Sequence, residues 1–110
     1  MISNGDRKVF NNIIEEIEKL DVNDDNGYYQ NIDKMIKILT KNLNDTIDFL
    51  NICSKKELDW ASTCFDDLCE YFQSQELIDC VENNITRFND ESLQEQLKME
   101  FESMKFYLKK

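Results

Sequence analysis

Proline is absent from this chain of 110 residues, and glycine occurs only at Gly5 and Gly27. β-Sandwiches and β-barrels reverse direction many times and need turn residues at each reversal, so a chain with so few of them is poorly suited to either. Residue types that are favourable in helices, such as Leu, Ile, Glu, Lys and Gln, dominate instead. The sequence therefore predicts an all-α fold, and its length predicts a single domain spanning residues 1–110.

Apolar residues recur at spacings of three and four, which predicts about six helices joined in hairpins by short connections. The helical spacing of apolar residues continues without a break through residues 28–53, so one long helix is an alternative there. Two helices are favoured because Asn42, Asn44 and Asp45 are poor helix formers. The architecture is then a bundle or a helical-repeat-like stack. The six predicted segments are residues 4–20, 28–42, 45–53, 54–72, 74–85 and 89–108.

Patterns that would carry metal binding or catalysis are incomplete. The loop at residues 21–27 begins like a calcium-binding loop, but its glycine comes one position late and Ile32 stands where the closing glutamate is required. Histidine is absent and no Cys-x-x-Cys pair occurs, which removes common zinc sites and the Ser-His and Cys-His pairs of enzymes. We therefore expect no catalytic residue, metal or cofactor. The net charge of −10 argues against nucleic acid as a partner.

Cysteine usage and the N-terminal residues indicate the compartment. Disulfide frameworks are typical of secreted chains with little hydrophobic core, whereas this chain has enough apolar residues for a core of its own. We expect reduced, mostly buried thiols at Cys53, Cys64, Cys69 and Cys80. The first residues lack the apolar segment of a signal peptide, and no run approaches the ~20 apolar residues of a membrane span. A cytoplasmic protein without membrane contact is expected.

Acidic residues are concentrated in residues 57–86, here called the acidic stretch. It contains no basic residue, so eight of the ten net negative charges lie within 30 residues. The other 80 residues are nearly balanced, with 15 acidic and 13 basic side chains. Because complementary charge steers association, this local excess predicts a basic partner. The eight carboxylates are Glu57, Asp59, Asp66, Asp67, Glu70, Glu76, Asp79 and Glu82.

A helical wheel of residues 57–72 predicts three faces on one continuous helix. The core face consists of Leu58, Ala61, Phe65, Leu68, Cys69 and Phe72. Asp59, Asp66 and Glu70 lie opposite, and a third stripe beside them consists of Trp60, Cys64, Asp67 and Tyr71. Aromatic side chains bordering carboxylates are typical of a protein interface. The alternative is that both aromatics belong to the core and that the acidic face is only solvated.

Four short segments within residues 45–82 form a distinctive arrangement. They are Asp48-Phe49-Leu50-Asn51-Ile52-Cys53, Glu57-Leu58-Asp59-Trp60-Ala61-Ser62, Phe65-Asp66-Asp67-Leu68 and Phe72-Gln73-Ser74-Gln75-Glu76-Leu77-Ile78-Asp79-Cys80. This arrangement resembles small α-helical immunity proteins of bacterial polymorphic toxin systems, including contact-dependent growth inhibition. The resemblance implies an inhibitor of a delivered toxin, frequently a nuclease, whose basic cleft an acidic protein can cover.

These observations together predict an immunity protein, or antitoxin, that neutralises a cognate basic toxin domain by stoichiometric binding, with a monomer favoured. An acidic helical adaptor or secretion chaperone for a basic client is the alternative, and an enzyme or metal-binding domain is a third possibility. The predicted contact residues are Asp59, Trp60, Asp66, Asp67, Glu70 and Tyr71, with Glu76 and Asp79 at the rim.

Overall fold

A computed structural model describes residues 1–109, which form an all-α bundle of seven helices without a strand. The all-α prediction is confirmed. No helix in this part of the chain has the length and apolar character needed to cross a membrane. The helices are α1 (Asn4–Lys19), α2 (Asp25–Leu39), α3 (Leu43–Ile52), α4 (Lys55–Ser62), α5 (Phe65–Phe72), α6 (Gln75–Asn84) and α7 (Glu91–Tyr107).

The helices share one hydrophobic core. α1 packs on α2, α3 packs on α6, and α7 lies against α4, α5 and α6. Phe10 and Phe49 are fully buried, with their ring centroids 5.5 Å apart in an edge-to-face arrangement. Burial of a side chain of this size contributes about 2–3 kcal/mol. All four cysteines are buried and free of disulfides, as predicted.

Residues 28–53 contain two helices, as favoured, with the break at Thr40–Asn42. The Thr40 hydroxyl donates to the carbonyl of Ile36 at 2.8 Å, so it holds the last turn of α2. The side chain of Asn42 then accepts from the amide of Asp45 at 2.9 Å. Asn42 is therefore the residue that caps α3.

The prediction of one helix over residues 54–72 was wrong, because the chain breaks at Thr63–Cys64 into α4 and α5. The amides of Thr63 and Cys64 bond three residues back, to Trp60 and Ala61, which tightens the backbone out of α-helical geometry. The Thr63 hydroxyl also donates to the Trp60 carbonyl at 2.7 Å. Side-chain hydroxyls that compete for main-chain carbonyls in this way bend or end helices.

α5 ends at Gln73, which adopts the left-handed conformation with φ 49° and ψ 49°. Its side-chain amide donates to the carbonyl of Tyr107 at 2.7 Å, and its side-chain oxygen accepts from the amide of Lys109 at 2.6 Å. The end of α5 is therefore tied to the end of α7, and this tie fixes α5 on the bundle.

Candidate protein-binding surface

Glu57, the first residue of the acidic stretch, lies inside the protein. It is 3 % exposed, and its carboxylate accepts hydrogen bonds from Arg7, Asn11 and the Ser54 amide. Burial alone would raise the pKa of Glu57, but these hydrogen bonds and the charge of Arg7 lower it to about 2. The other seven carboxylates of the acidic stretch are exposed or half-buried, so they alone form its surface.

Four carboxylates from α2 and α5 lie together, and we call them the α5 acidic face: Asp33, Asp66, Asp67 and Glu70. The pKa of Asp67 is raised by partial burial and by the charges of the other three. None of the four forms an ion pair with a lysine or arginine within residues 1–109. The negative field of this face is therefore not compensated by neighbouring cations of the described chain.

Asp66 anchors the α5 acidic face to α7. One carboxylate oxygen accepts from the Ser103 hydroxyl at 3.0 Å, while the other is buried without a hydrogen-bond partner in the described residues. The pKa of Glu100, also on α7, is raised by burial and by the charge of Asp66. A buried polar atom that lacks a partner costs about 1–3 kcal/mol. This arrangement is therefore unfavourable for the stability of the isolated chain.

The two predicted aromatic contacts do not form one stripe, because the break after α4 separates them. Tyr71 is 66 % exposed on α5, one turn beyond Asp67, and its ring packs edge-on against Phe72 at 5.1 Å. Trp60 is half-buried on α4 and packs against the core. Cys64, which the wheel placed between them, is fully buried. Only Tyr71 stays beside the α5 acidic face.

The eight predicted contact residues fall on three helices. Asp66, Asp67, Glu70 and Tyr71 lie on α5, Asp59 and Trp60 on α4, and Glu76 and Asp79 on α6. Asp59 lines a shallow pocket with Lys55 and Lys56, and this pocket does not include Trp60. Asp79 accepts a hydrogen bond from the side chain of Gln75 at 3.0 Å.

Trp60 lines an open groove of about 480 Å³ that the sequence reasoning missed. We call it the Trp60 groove. The missed signal was the pair Tyr28-Tyr29, which directly follows the acidic loop. Two of the three carboxylates of that loop have structural roles, because Asp24 caps α2 and Asp21 accepts from the amide of Asn23 at 2.9 Å. The groove is lined by Ile17, Glu18, Leu20, Asp21, Val22, Asp24, Asp25, Tyr28, Tyr29 and Trp60.

The chemistry available on these surfaces is recognition of positive charge. Within residues 1–109, no group of three or more His, Cys, Asp or Glu side chains is placed to hold a metal ion. Carboxylates without nearby cations, next to exposed aromatic rings, attract basic and partly apolar groups. A search against protein-family models, curated proteins and solved structures found no match.

Proposed function

We propose that this protein is a cytoplasmic immunity protein that binds one cognate toxin domain, a basic nuclease, and neutralises it in a stoichiometric complex. The observation that supports the proposal is the α5 acidic face, whose four carboxylates lack an ion-pair partner in the described chain. A nuclease cleft is basic because it must hold phosphate groups. An acidic inhibitor is drawn to such a cleft, and complementary charge can raise the association rate by 10- to about 1,000-fold.

The α5 acidic face lowers the stability of the isolated chain, and this cost supports a role in binding rather than a role in solubility alone. Surfaces that serve solubility intersperse both signs of charge, whereas Asp33, Asp67 and Glu70 face one another without a cation. Asp66 adds a buried carboxylate oxygen that lacks a donor. A basic partner would supply the missing positive charge to the exposed carboxylates of the face, so part of the cost in the free chain is relieved in the complex.

Neutralisation in this proposal is by steric cover of the toxin, without chemistry. α5 is a short helix held firmly on α7, because Leu68 and Cys69 are fully buried and the Cys69 thiol donates to the carbonyl of Met104 at 3.2 Å. A surface on a rigid scaffold binds with little rearrangement, which keeps the ordering cost of binding low. Exposed Tyr71 adds apolar contact area beside the charges.

The test is charge reversal on the α5 acidic face, with a matched reversal elsewhere. The double variant Asp66→Lys, Asp67→Lys changes the net charge from −10 to −6, and so does Glu15→Lys, Glu95→Lys on exposed parts of α1 and α7. The binding partner to be tested is the toxin domain that the proposal expects to be encoded next to the protein's gene. Survival on co-expression, association rates at low and high salt, and urea unfolding are measured for each variant.

We expect the α5 variant to associate with the toxin at least about 10-fold more slowly at low salt and to lose protection. The matched variant should associate within about threefold of the wild type, since it changes only the overall charge. Equal association rates for the two variants would refute the site, and a chain that protects against no adjacent toxin would refute the function.

An acidic adaptor or secretion chaperone for a basic client is the second candidate. It is favoured by α7, on which Met99 and Phe106 lie two turns apart and are 72 % and 88 % exposed. Apolar side chains on one exposed helix face suit a dimer contact or an extended client segment. Light scattering separates the candidates: a monomer that forms a 1:1 complex with a folded domain supports the immunity protein, and a dimer that binds unfolded segments supports the chaperone.

A further inference from the structure

We infer that the Trp60 groove binds one arginine side chain on the surface of the protein's partner. The identity of that partner rests on the proposed function, whereas the preference of the groove for a guanidinium group can be measured without it.

The Trp60 groove has the size and position of a binding site. It lies where the end of α1, the following loop, the start of α2 and the helix α4 meet. Its volume of about 480 Å³ falls within the range of about 300–1,000 Å³ that is typical of ligand pockets. Val22 and Tyr29 at this groove are 94 % and 65 % exposed, so apolar surface is left in contact with water. Covering that surface favours the bound state.

Three aromatic side chains line the groove. The rings of Tyr28 and Tyr29 lie 5.3 Å apart at 83°, and Trp60 lines it from α4. Tyr28 and Trp60 pack against the core, so their rings are held in place before a ligand arrives. The face of an aromatic ring attracts a cation, and a planar guanidinium can stack on it while it keeps its hydrogen bonds in the ring plane.

The charge of the groove selects a cation. Four carboxylates line it and no lysine or arginine does. Three of the four already have partners: Glu18 pairs with Lys56 at 2.9 Å, Asp24 caps α2, and Asp21 accepts from the Asn23 amide. Asp25 has no ion pair within residues 1–109, so it is the carboxylate left for an incoming charge.

Arginine fits this combination better than lysine or a neutral apolar group. An ammonium ion is compact and strongly hydrated, so stacking against aromatic rings costs it more water than it costs a guanidinium. A neutral apolar group would cover the rings but leave Asp25 without compensation for the water it loses. Arginine is also among the residues that contribute most to protein–protein interfaces.

The Trp60 groove and the α5 acidic face adjoin through α2. Tyr28 and Tyr29 lie near the start of this helix, and Asp33 follows one turn later. Asp33 is close enough to Asp67 to raise its pKa together with burial and the other acids of the face. A single basic surface could therefore contact both regions at once, with one arginine in the groove and further cations on α5.

Trp60 is the sole tryptophan of the chain, so its fluorescence reports directly on the groove. The probe is the blocked peptide Gly-Arg-Gly, and its control is Gly-citrulline-Gly, which has the same shape but no charge. Both are added to the full chain at constant ionic strength. One cation–π contact and one ion pair predict a dissociation constant of about 10–100 mM for such a small probe.

We expect a saturable change of Trp60 fluorescence with the arginine peptide and none with the citrulline peptide. Tyr29→Leu and Asp25→Asn should each weaken binding by about two- to fivefold, because the first removes the most exposed of the three rings and the second removes the carboxylate that has no ion pair. Glu95→Gln makes the same charge change on an exposed part of α7 and should bind as the wild type does. Both groove positions are exposed, so folding of the variants can be verified by circular dichroism.

Equal responses to the two peptides, or full binding by Tyr29→Leu, would overturn the inference. The toxin complex distinguishes this failure from that of the proposed function. If both groove variants neutralise the toxin as well as the wild type does, the immunity role stands and the groove has no part in it. If the chain binds the arginine peptide but neutralises no toxin, the inference about the groove stands and the immunity role is refuted.

Discussion

Arg7 and Glu57 form a two-pronged ion pair across 50 residues of sequence, with Nε and Nη2 of Arg7 at 2.9 and 2.7 Å from the Glu57 carboxylate. Glu57→Gln should lower the free energy of unfolding by about 3 kcal/mol, since it removes the partner of a partly buried charge. Urea unfolding measures this loss. Glu18→Gln is the control, because its ion pair with Lys56 is exposed and should contribute less than about 1 kcal/mol. Similar losses in both variants would contradict the prediction.

The same carboxylate makes the stability of the chain sensitive to acid. The pKa of Glu57 is about 2 in the folded chain, below the value near 4.5 of an exposed glutamate. Its contribution is therefore complete above about pH 4.5 and is lost as the pH falls towards 2. Between about pH 5 and 2 the wild type should lose about 3 kcal/mol more stability than Glu57→Gln. Parallel pH curves for the two proteins would refute the assignment.

The contact between Ser54 and Glu57 could be predicted from the sequence, whereas the ion pair between Glu57 and Arg7 could not. The capping box of Ser54 and Glu57 depends on a spacing of three residues, which is visible in the sequence, and the structure contains it. The partner Arg7 lies on another helix, and no spacing within one chain segment indicates which helix faces α4. The burial of Glu57, which sets it apart from the other seven carboxylates of the acidic stretch, is consequently visible only in the packing of the folded chain.

The candidate site was predictable only as far as helix continuity allowed. The wheel placed Asp66 and Glu70 on one outward face and Asp67 on the stripe beside it, and these three residues lie together on α5. It failed for Trp60, because two main-chain hydrogen bonds at Thr63–Cys64 rotate α5 relative to α4. The hydroxyls of Ser62 and Thr63 can compete for main-chain carbonyls, which is a weak local signal of a helix break. Burial of residues on both sides of the break reinforces it in the folded chain.

The two glycines should respond differently to alanine. A Cβ at Gly5 would meet its nearest neighbour at 3.9 Å, which is an ordinary contact, and Gly5→Ala should stabilise α1 by about 0.5–1 kcal/mol. A Cβ at Gly27 would lie 2.7 Å from the Asp24 carboxylate, which caps α2. Displacing that cap costs about 1 kcal/mol and cancels the gain. Thermal unfolding should rank Gly5→Ala above both the wild type and Gly27→Ala; the reverse order would contradict the geometry.

Gln73 should contribute to stability through its hydrogen bonds between the end of α5 and the end of α7. Gln73→Ala keeps the unfavourable left-handed backbone and removes the hydrogen bonds to Tyr107 and Lys109, so a loss of about 1–2 kcal/mol is expected. Gln73→Gly loses the same bonds but relieves the backbone, and should recover about 1 kcal/mol of that loss. Hydrogen exchange of the Lys109 amide should accelerate in both variants. Continued protection of this amide in Gln73→Gly would show that the tie does not hold the helix end.

We expect Asp67 to lower the stability of the isolated chain and to speed its association with the partner. A carboxylate that is needed for the fold would raise the stability instead, so the two roles can be distinguished. Partial burial and the charges of Asp66, Glu70 and Asp33 raise the pKa of Asp67, so its ionised form is disfavoured in the folded protein. This penalty is present at neutral pH and disappears as the carboxylate is protonated on acidification. Asp67→Asn should therefore unfold at a slightly higher urea concentration at about pH 7 and show no gain at about pH 3.

The same substitution should slow association with the toxin at low salt, because it removes one of the steering charges. Glu95→Gln, on an exposed part of α7, should alter neither stability nor association appreciably. A variant that gains stability and loses association identifies Asp67 as a residue kept for its partner. If Asp67→Asn destabilises the chain at neutral pH, the carboxylate contributes to the fold itself and the α5 acidic face loses its strongest support.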